Sequence, residues 1–296
     1  MNLRKLYELN YTIPFDEISK DLELSTHAQR NLIRLNLLEP PADGRFGPLS
    51  VLALRTFQAI VGIAEGGLGK KTCEGLIETR DLPGKQLKLG SDFASALARY
   101  YLDQGWYFSD RSDEINICYI EGANANGTPN NDAPNQWNDR RVIWRVKRGI
   151  PTITGNWQAS CEPGWFYTLN PMNIEGCARI KNPAQYKAWR LGWHGGAKPH
   201  EALIQAGEVE VYRDRNRDMK RTGDPLRRGL YGINQHWGYG MQFVDRASAG
   251  CMTAPDWAGH QQFIRDCKGD KRYQLNNAYL FLTAFIPGDK LELAVS

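Results

Sequence analysis

The spacing of apolar positions changes character along this chain. Between residues 26 and 80, Ala28, Leu32, Ile33, Leu35, Leu37 and Leu38 recur at a near-helical period until Pro40-Pro41 ends the run. A second helix is expected through Val51-Leu-Ala-Leu-Arg-Thr-Phe57-Gln58 with Ser50 as its N-cap. Glycines at 62, 66, 67 and 69 separate it from a third opening at Thr72. Residues 1–25 form an N-terminal segment before this unit. The Pro, Gly and Lys content of Asp81-Leu-Pro-Gly-Lys-Gln-Leu-Lys88 predicts a linker, and the Ala-rich run from Asp92 to Gly105 a bridging helix, so that 81–110 is a connecting region. From 111 to 296, short β-prone runs (Ile115–Ile120, Val142–Val146, Val209–Tyr212, Tyr279–Ile286) alternate with loops rich in Asn, Gly and Pro. The predicted fold class is α+β: a small three-helix bundle followed by a mainly β domain.

Composition narrows this picture. The 296 residues are 42% hydrophobic, enough for a sizeable core, and the net charge of +4 is too small to argue for a nucleic-acid partner. The N-terminal residues carry acids and amides where a secretory signal needs an apolar run, and no segment approaches the length of a membrane span. Synthesis in the cytoplasm without a signal peptide, and no membrane partner, are the expectations. Six cysteines are dispersed with no CxxC pair, which indicates neither a disulfide framework nor a zinc ribbon. No metal or cofactor is expected, and a monomer is.

Candidate chemistry concentrates in Gly232-Ile-Asn-Gln-His236-Trp-Gly238 and Ser248-Ala-Gly-Cys251. A thiol after a small-residue turn, with an imidazole a short loop upstream, is the pattern of a cysteine nucleophile and its base. A free thiol has a pKa of about 8.5, so the thiolate needs help from a neighbouring group at neutral pH. Gly250 permits a close backbone approach, N–H groups of that turn are candidates for an oxyanion site, and Ser248 can bond locally to fix the loop. Asn234 and Gln235 lie just before His236, and one of them can hold its ring or face the substrate.

Two resemblances attach to these residues. The helix, Asp43-Gly-Arg-Phe-Gly-Pro-Leu-Ser50, the Ala53-to-Gln58 helix and the Gly67-Leu-Gly69 turn follow the order of the peptidoglycan-binding domain 1 family. That resemblance implies a wall-binding module at 26–80, with Asp43, Gly44, Phe46, Gly47 and Phe57 holding its turn and core. Arg246-Ala-Ser-Ala-Gly-Cys-Met252 with Ile233, His236 and Gly238 resembles the L,D-transpeptidase catalytic-domain family. This implies an L,D-transpeptidase-like β-sandwich over 111–296, Cys251 attacking a stem-peptide carbonyl to form an acyl-enzyme, and His236 as base. The chain departs from that signature at Ala249, where a second His is usual, at the inserted Trp237, and at Met252-Thr253. Runs including Tyr119-Ile-Glu-Gly, Trp137-Asn-Asp-Arg-Arg141, Glu162-Pro-Gly164 and Trp193-His-Gly195 also resemble an uncharacterised domain of phage and prophage lysis-type proteins.

Other clusters carry second readings. His194, Trp237, Gly238, Asn234 and Arg246 are candidates for substrate contacts, and His200 and Glu121 are weighed against plain structural roles. Arg140 and Arg141 either recognise a carboxylate or belong to an Arg–Asp network. Asp214, Asn216 and Asp218 space oxygens like the start of a calcium loop, but lack its Gly and closing Glu, so a solvated hairpin loop is favoured. The expected function is a peptidoglycan-directed cysteine enzyme, lysin-like in hydrolysing amide bonds of stem peptide or cross-bridge. It would act on the wall or in the periplasm after release. Alternatives are a transpeptidase or carboxypeptidase by the same acyl-enzyme, a zinc amidase or peptidase built from some of His194, His200, His236, His260 and Cys267, and a non-catalytic wall-binding protein.

Overall fold

In the N-terminal unit, two buried glutamines organise the turns that the glycines open. The Gln29 carboxamide donates to Asp43 Oδ1, Arg45 O and Ser50 Oγ and accepts from the Gly44 N–H at 2.7 Å, closing the Asp43-Gly44 turn at a residue with φ +73°. Gln58 repeats the device, donating to Gly67 O and Thr72 Oγ1. The computed structural model describes residues 1–83 and 86–293. Gly84 and Lys85 of the expected linker, and the last three positions of the expected 111–296 domain, lie outside them.

The chain forms two compact units, 1–88 with 107–111, and 89–106 with 112–296. The first contains α1 (Leu3–Leu9), β1 (Ile13–Pro14), α2 (Leu22–Arg34), α3 (Pro48–Val61), β2 (Gly67–Leu68) and α4 (Lys70–Glu78). The three expected helices are α2, α3 and α4, and the unit adds α1 and a two-stranded pairing to them. Leu3 and Leu6 of α1 are buried in the same core as Leu24, Leu32, Leu54, Phe57 and Leu76, and β1 pairs with β2, so residues 1–25 are built into the unit rather than preceding it. The expected cap at Ser50 is also displaced. Pro48 occupies the first helical position after Gly47, which its fixed φ favours, leaving Ser50 buried one turn in as an acceptor for Gln29.

The second unit contains α5 (Phe93–Asp103), β3 (Asn116–Glu121), β4 (Asp139–Lys147), β5 (Ile150–Ala159), α6 (Trp165–Leu169), β6 (Cys177–Ile180), β7 (Ala184–His194), β8 (His200–Gln205), β9 (Val209–Asp214), β10 (Leu226–Gly229), β11 (Gln235–Trp237), β12 (Met252–Ala254), α7 (Trp257–Gly269), α8 (Lys271–Leu275) and β13 (Phe281–Pro287). The helix expected to bridge, α5, belongs here. Its Tyr101 is fully enclosed, edge-on to Trp144 at 5.2 Å.

Eight strands form a mixed sheet in the order β12-β11-β8-β7-β13-β3-β4-β5, with β11–β12 and β13–β3 parallel. A separate three-stranded sheet runs β10-β9-β6. Immediately after β5, Ser160 exchanges two backbone hydrogen bonds with Thr253 of β12, at 2.8 and 2.9 Å. The two edge strands of the large sheet are therefore bridged to each other, which removes much of the exposed edge. This is a curled mixed sheet with a small satellite sheet, where a β-sandwich was expected. Cys251 sits at that seam, one residue before β12.

Candidate functional site

The turn carrying Cys251 is held from three sides. Ser248 Oγ donates to Cys251 O at 2.7 Å and accepts from the Gly250 N–H at 3.0 Å. Gly250 has φ +132°, and a Cβ there would meet Ala178 O of β6 at 2.5 Å, so the position excludes side chains on two grounds. Beside it, Cys177 Sγ donates to Ala249 O at 3.3 Å.

The thiol faces the loop that enters β11. Asn234 N–H donates to Cys251 Sγ at 3.3 Å, and Gly232 O lies 3.6 Å from the sulfur. Gln205 fixes that loop: its Oε1 accepts from the Tyr231 and Ile233 N–H groups, its Nε2 donates to Gly207 O and Gly229 O, and its own N–H donates to Asn234 Oδ1. Because Asn234 Oδ1 is committed as an acceptor, Asn234 Nδ2 is the donor to His194 Nδ1 at 3.0 Å. Burial pushes the Cys251 thiol up to about 11, against a smaller lowering by the Asn234 N–H. Among the described residues no hydrogen bond joins Cys251 Sγ to an imidazole, and the Cys251 N–H is likewise without one.

Four of the five histidines converge beside this loop. The pairing of β7 with β8 sets His194 opposite His200, and the His194 ring stacks on His236 with centroids 3.8 Å apart. His200 lies 5.6 Å from His194, 6.0 Å from His236 and 5.5 Å from His260 of α7. Their hydrogen bonds assign the neutral tautomers. His236 Nδ1 donates to Trp237 O at 2.7 Å, leaving the Nε2 lone pair without a partner among the described residues. His200 Nδ1 donates to Lys198 O, and its Nε2 accepts from the Trp237 N–H. His260 Nε2 donates to Glu201 O, and its Nδ1 accepts from Arg141. Burial first, then the neighbouring imidazoles, hold His236 well below its ordinary value. Burial and His200 hold His194 at about 4.

Arg141 is fully buried and spends its guanidinium on Tyr119 Oη, His260 Nδ1 and His236 O. Arg140 spends its own on Asn156. The pair is thus an internal network, and the arrangement ties His236 to α7. Sequence reading missed Gln205 and the role of Arg141. The turn Gln205-Ala-Gly207 was the available signal for the first.

The remaining predicted residues separate. Trp237 Nε1 donates to Pro255 O, with its ring 4.9 Å from Trp257. Gly238 leaves room for Trp137, whose ring a Cβ would approach to 2.6 Å. Arg246 is not drawn to the thiol: it is exposed, its guanidinium 3.4 Å over the Phe166 ring. Glu121 is buried and bound bidentately by Arg221, with Asn182 donating to Oε2 at 2.7 Å; burial alone would raise it, but these partners hold it below its ordinary value. In the calcium-like loop, Asp214 spends both oxygens on the Asp218 and Met219 N–H groups, which makes it a turn. Among the described residues no group of three His, Cys, Asp or Glu side chains is placed to hold a metal ion. None of the described helices is long and apolar enough to cross a membrane.

No known protein family and no curated protein matches the sequence. A solved structure of a fused Zn-dependent amidase/peptidase/peptidoglycan-binding domain-containing protein from Clostridium acetobutylicum ATCC 824 is distantly similar, at 12% identity and a TM-score of 0.29 over 93% of this chain and 99% of that one. That likeness is too low to argue from.

Proposed function

We propose that this protein is a cysteine enzyme that opens amide bonds of peptidoglycan stem peptides or cross-bridges, with the N-terminal unit as its wall-binding module. The observation that carries the reading is the thiol of Cys251 on a locked turn, accepting the Asn234 N–H at 3.3 Å beside a cluster of neutral imidazoles. The resemblances of Asp43–Ser50 and Ser248–Cys251 supply the substrate. In this reading His236 Nε2 takes the thiol proton as Cys251 Sγ attacks the carbonyl carbon, and the Cys251 N–H receives the developing oxyanion. Collapse of the tetrahedral intermediate breaks the C–N bond, and the imidazolium returns its proton to the departing amine. The thioester left on Cys251 is then resolved by water, which gives hydrolysis. Resolution by an amine would give transpeptidation instead.

Both partners are neutral in this arrangement, which favours proton transfer during attack over a preformed thiolate–imidazolium pair. Purified peptidoglycan incubated with wild type should yield new muropeptides by mass. Cys251→Ala should yield none while still sedimenting with the wall material, and His236→Ala should depress turnover far more than sedimentation. Unchanged products from Cys251→Ala overturn the cysteine mechanism, and failure of wild type to sediment with the wall material overturns the wall-binding role of the N-terminal unit.

A further inference from the structure

A cavity of about 350 Å³ opens beside the histidine cluster, between β7–β8 and α7. Its wall includes Trp193, His200, Trp257, His260, Arg265 and Lys268. Two features are unexplained by packing. Trp193 is 71% exposed and Trp257 42%, which leaves large apolar faces in water at one small concave site. The charges are also unbalanced: Lys268 is paired with Glu201 at 2.5 Å, whereas the exposed Arg265 guanidinium is bonded, among the described residues, only to the neutral Gln262 Oε1. The cavity adjoins the histidine cluster, since His200 and His260 line it and His200 also accepts the Trp237 N–H.

Size, aromatic faces and a spare cation together select a ligand class. The volume lies at the lower end of small-ligand pockets, roughly 300–1,000 Å³. Indole faces suit the C–H faces of a pyranose ring, whose hydroxyls remain at the polar edge, and a planar guanidinium suits a carboxylate. We infer that this cavity is a glycan subsite that takes an N-acetylated hexose against Trp193 and Trp257, with an acidic group carried by the same fragment on Arg265. The inference rests on the wall polymer being the substrate and identifies the part of it recognised beside the reacting bond. It implies that the chain reads sugar and peptide together.

The test uses full-length Cys251→Ala protein, so that binding is read without turnover. Its probes are a soluble disaccharide carrying a stem peptide and chitotetraose, which has the N-acetylhexose rings without the carboxylates. Calorimetric titration should detect both, the charged fragment more tightly. Adding Trp193→Ala, a change at an exposed side chain, should weaken both on the order of tenfold. Adding Arg265→Gln should weaken only the charged fragment, bringing it toward chitotetraose. Equal binding with and without Trp193→Ala, or binding of the charged fragment with none of chitotetraose, would mean that peptide or another partner is recognised and overturns the glycan subsite. If these titrations fail while wild type still cleaves walls through Cys251, only the subsite is lost. If they succeed while wild type cleaves nothing, only the cysteine mechanism is lost.

Discussion

At the residue scale, the proposed mechanism turns on one half-buried thiol among six. Cys73, Cys118, Cys161, Cys177 and Cys267 are buried, so Cys251 is the sulfur that a small reagent reaches. Its environment also makes an unusual demand, because burial pushes the thiol up to about 11 and only the Asn234 N–H opposes that. Iodoacetamide should therefore label Cys251 first by mass spectrometry, with a rate that keeps rising with pH well past the ordinary thiol range of about 8.5. A labelling rate that levels off below pH 8 would mean that an imidazolium pairs with the thiolate in the free protein. Mixed labelling of all six sulfurs would mean that the burial pattern is wrong. Asn234→Ala removes the link to His194 but keeps the backbone N–H, so the thiol's profile should shift little while turnover falls.

At the scale of elements, local signals were legible and long-range convergence was not. Cys251, Ser248 and Gly250 are read from four consecutive residues, and the structure shows why that spacing matters: Ser248 bonds both the Cys251 carbonyl and the Gly250 N–H. The β-prone runs at 115–120, 142–146, 209–212 and 279–286 all fall within or against strands, because alternation and branching are local properties. By contrast, His194, His200, His236 and His260 meet through the β7/β8 register and the docking of α7, and no spacing in the sequence encodes a register. The Ser160–Thr253 bridge that joins the sheet edges has no local signature at all. The first helix was missed because Leu3 and Leu6 alone mark its buried face within seven residues. Gly250 gives the strictest test of the turn. Gly250→Ala places a Cβ 2.5 Å from Ala178 O at φ +132°, and should cost roughly 2 to 4 kcal/mol in urea unfolding. A cost below about 0.5 kcal/mol, the level of an ordinary surface change, would show that the turn relaxes freely.

At the scale of the whole molecule, the balance of buried titratable groups sets how stability follows pH. All nine tryptophans lie between residues 106 and 257, so their fluorescence follows unfolding of the second unit. In that unit burial and neighbouring cations or imidazoles hold His194 at about 4 and His260 at about 3, with His236 also well below 6.5. An unfolded chain protonates these imidazoles near 6.5, so between that value and the folded ones it binds more protons than the native state. Their contribution is complete above about pH 6.5 and is lost as pH falls, at about 1.4 kcal/mol per pH unit for each group. Glu162 acts in the opposite sense. Burial, together with the Glu121 charge, raises it despite its ion pair with Arg179, so the native state holds its proton longer and this contribution is lost as pH rises. The two sets offset each other in mildly acidic solution, and single substitutions should separate them. Glu162→Gln should make the urea midpoint fall more steeply between pH 7 and 4.5 than in wild type, whatever its level at pH 7. His260→Gln, which keeps an acceptor for Arg141, should make it fall less steeply. Slopes that remain parallel across the three proteins would show that neither group's protonation is coupled to folding.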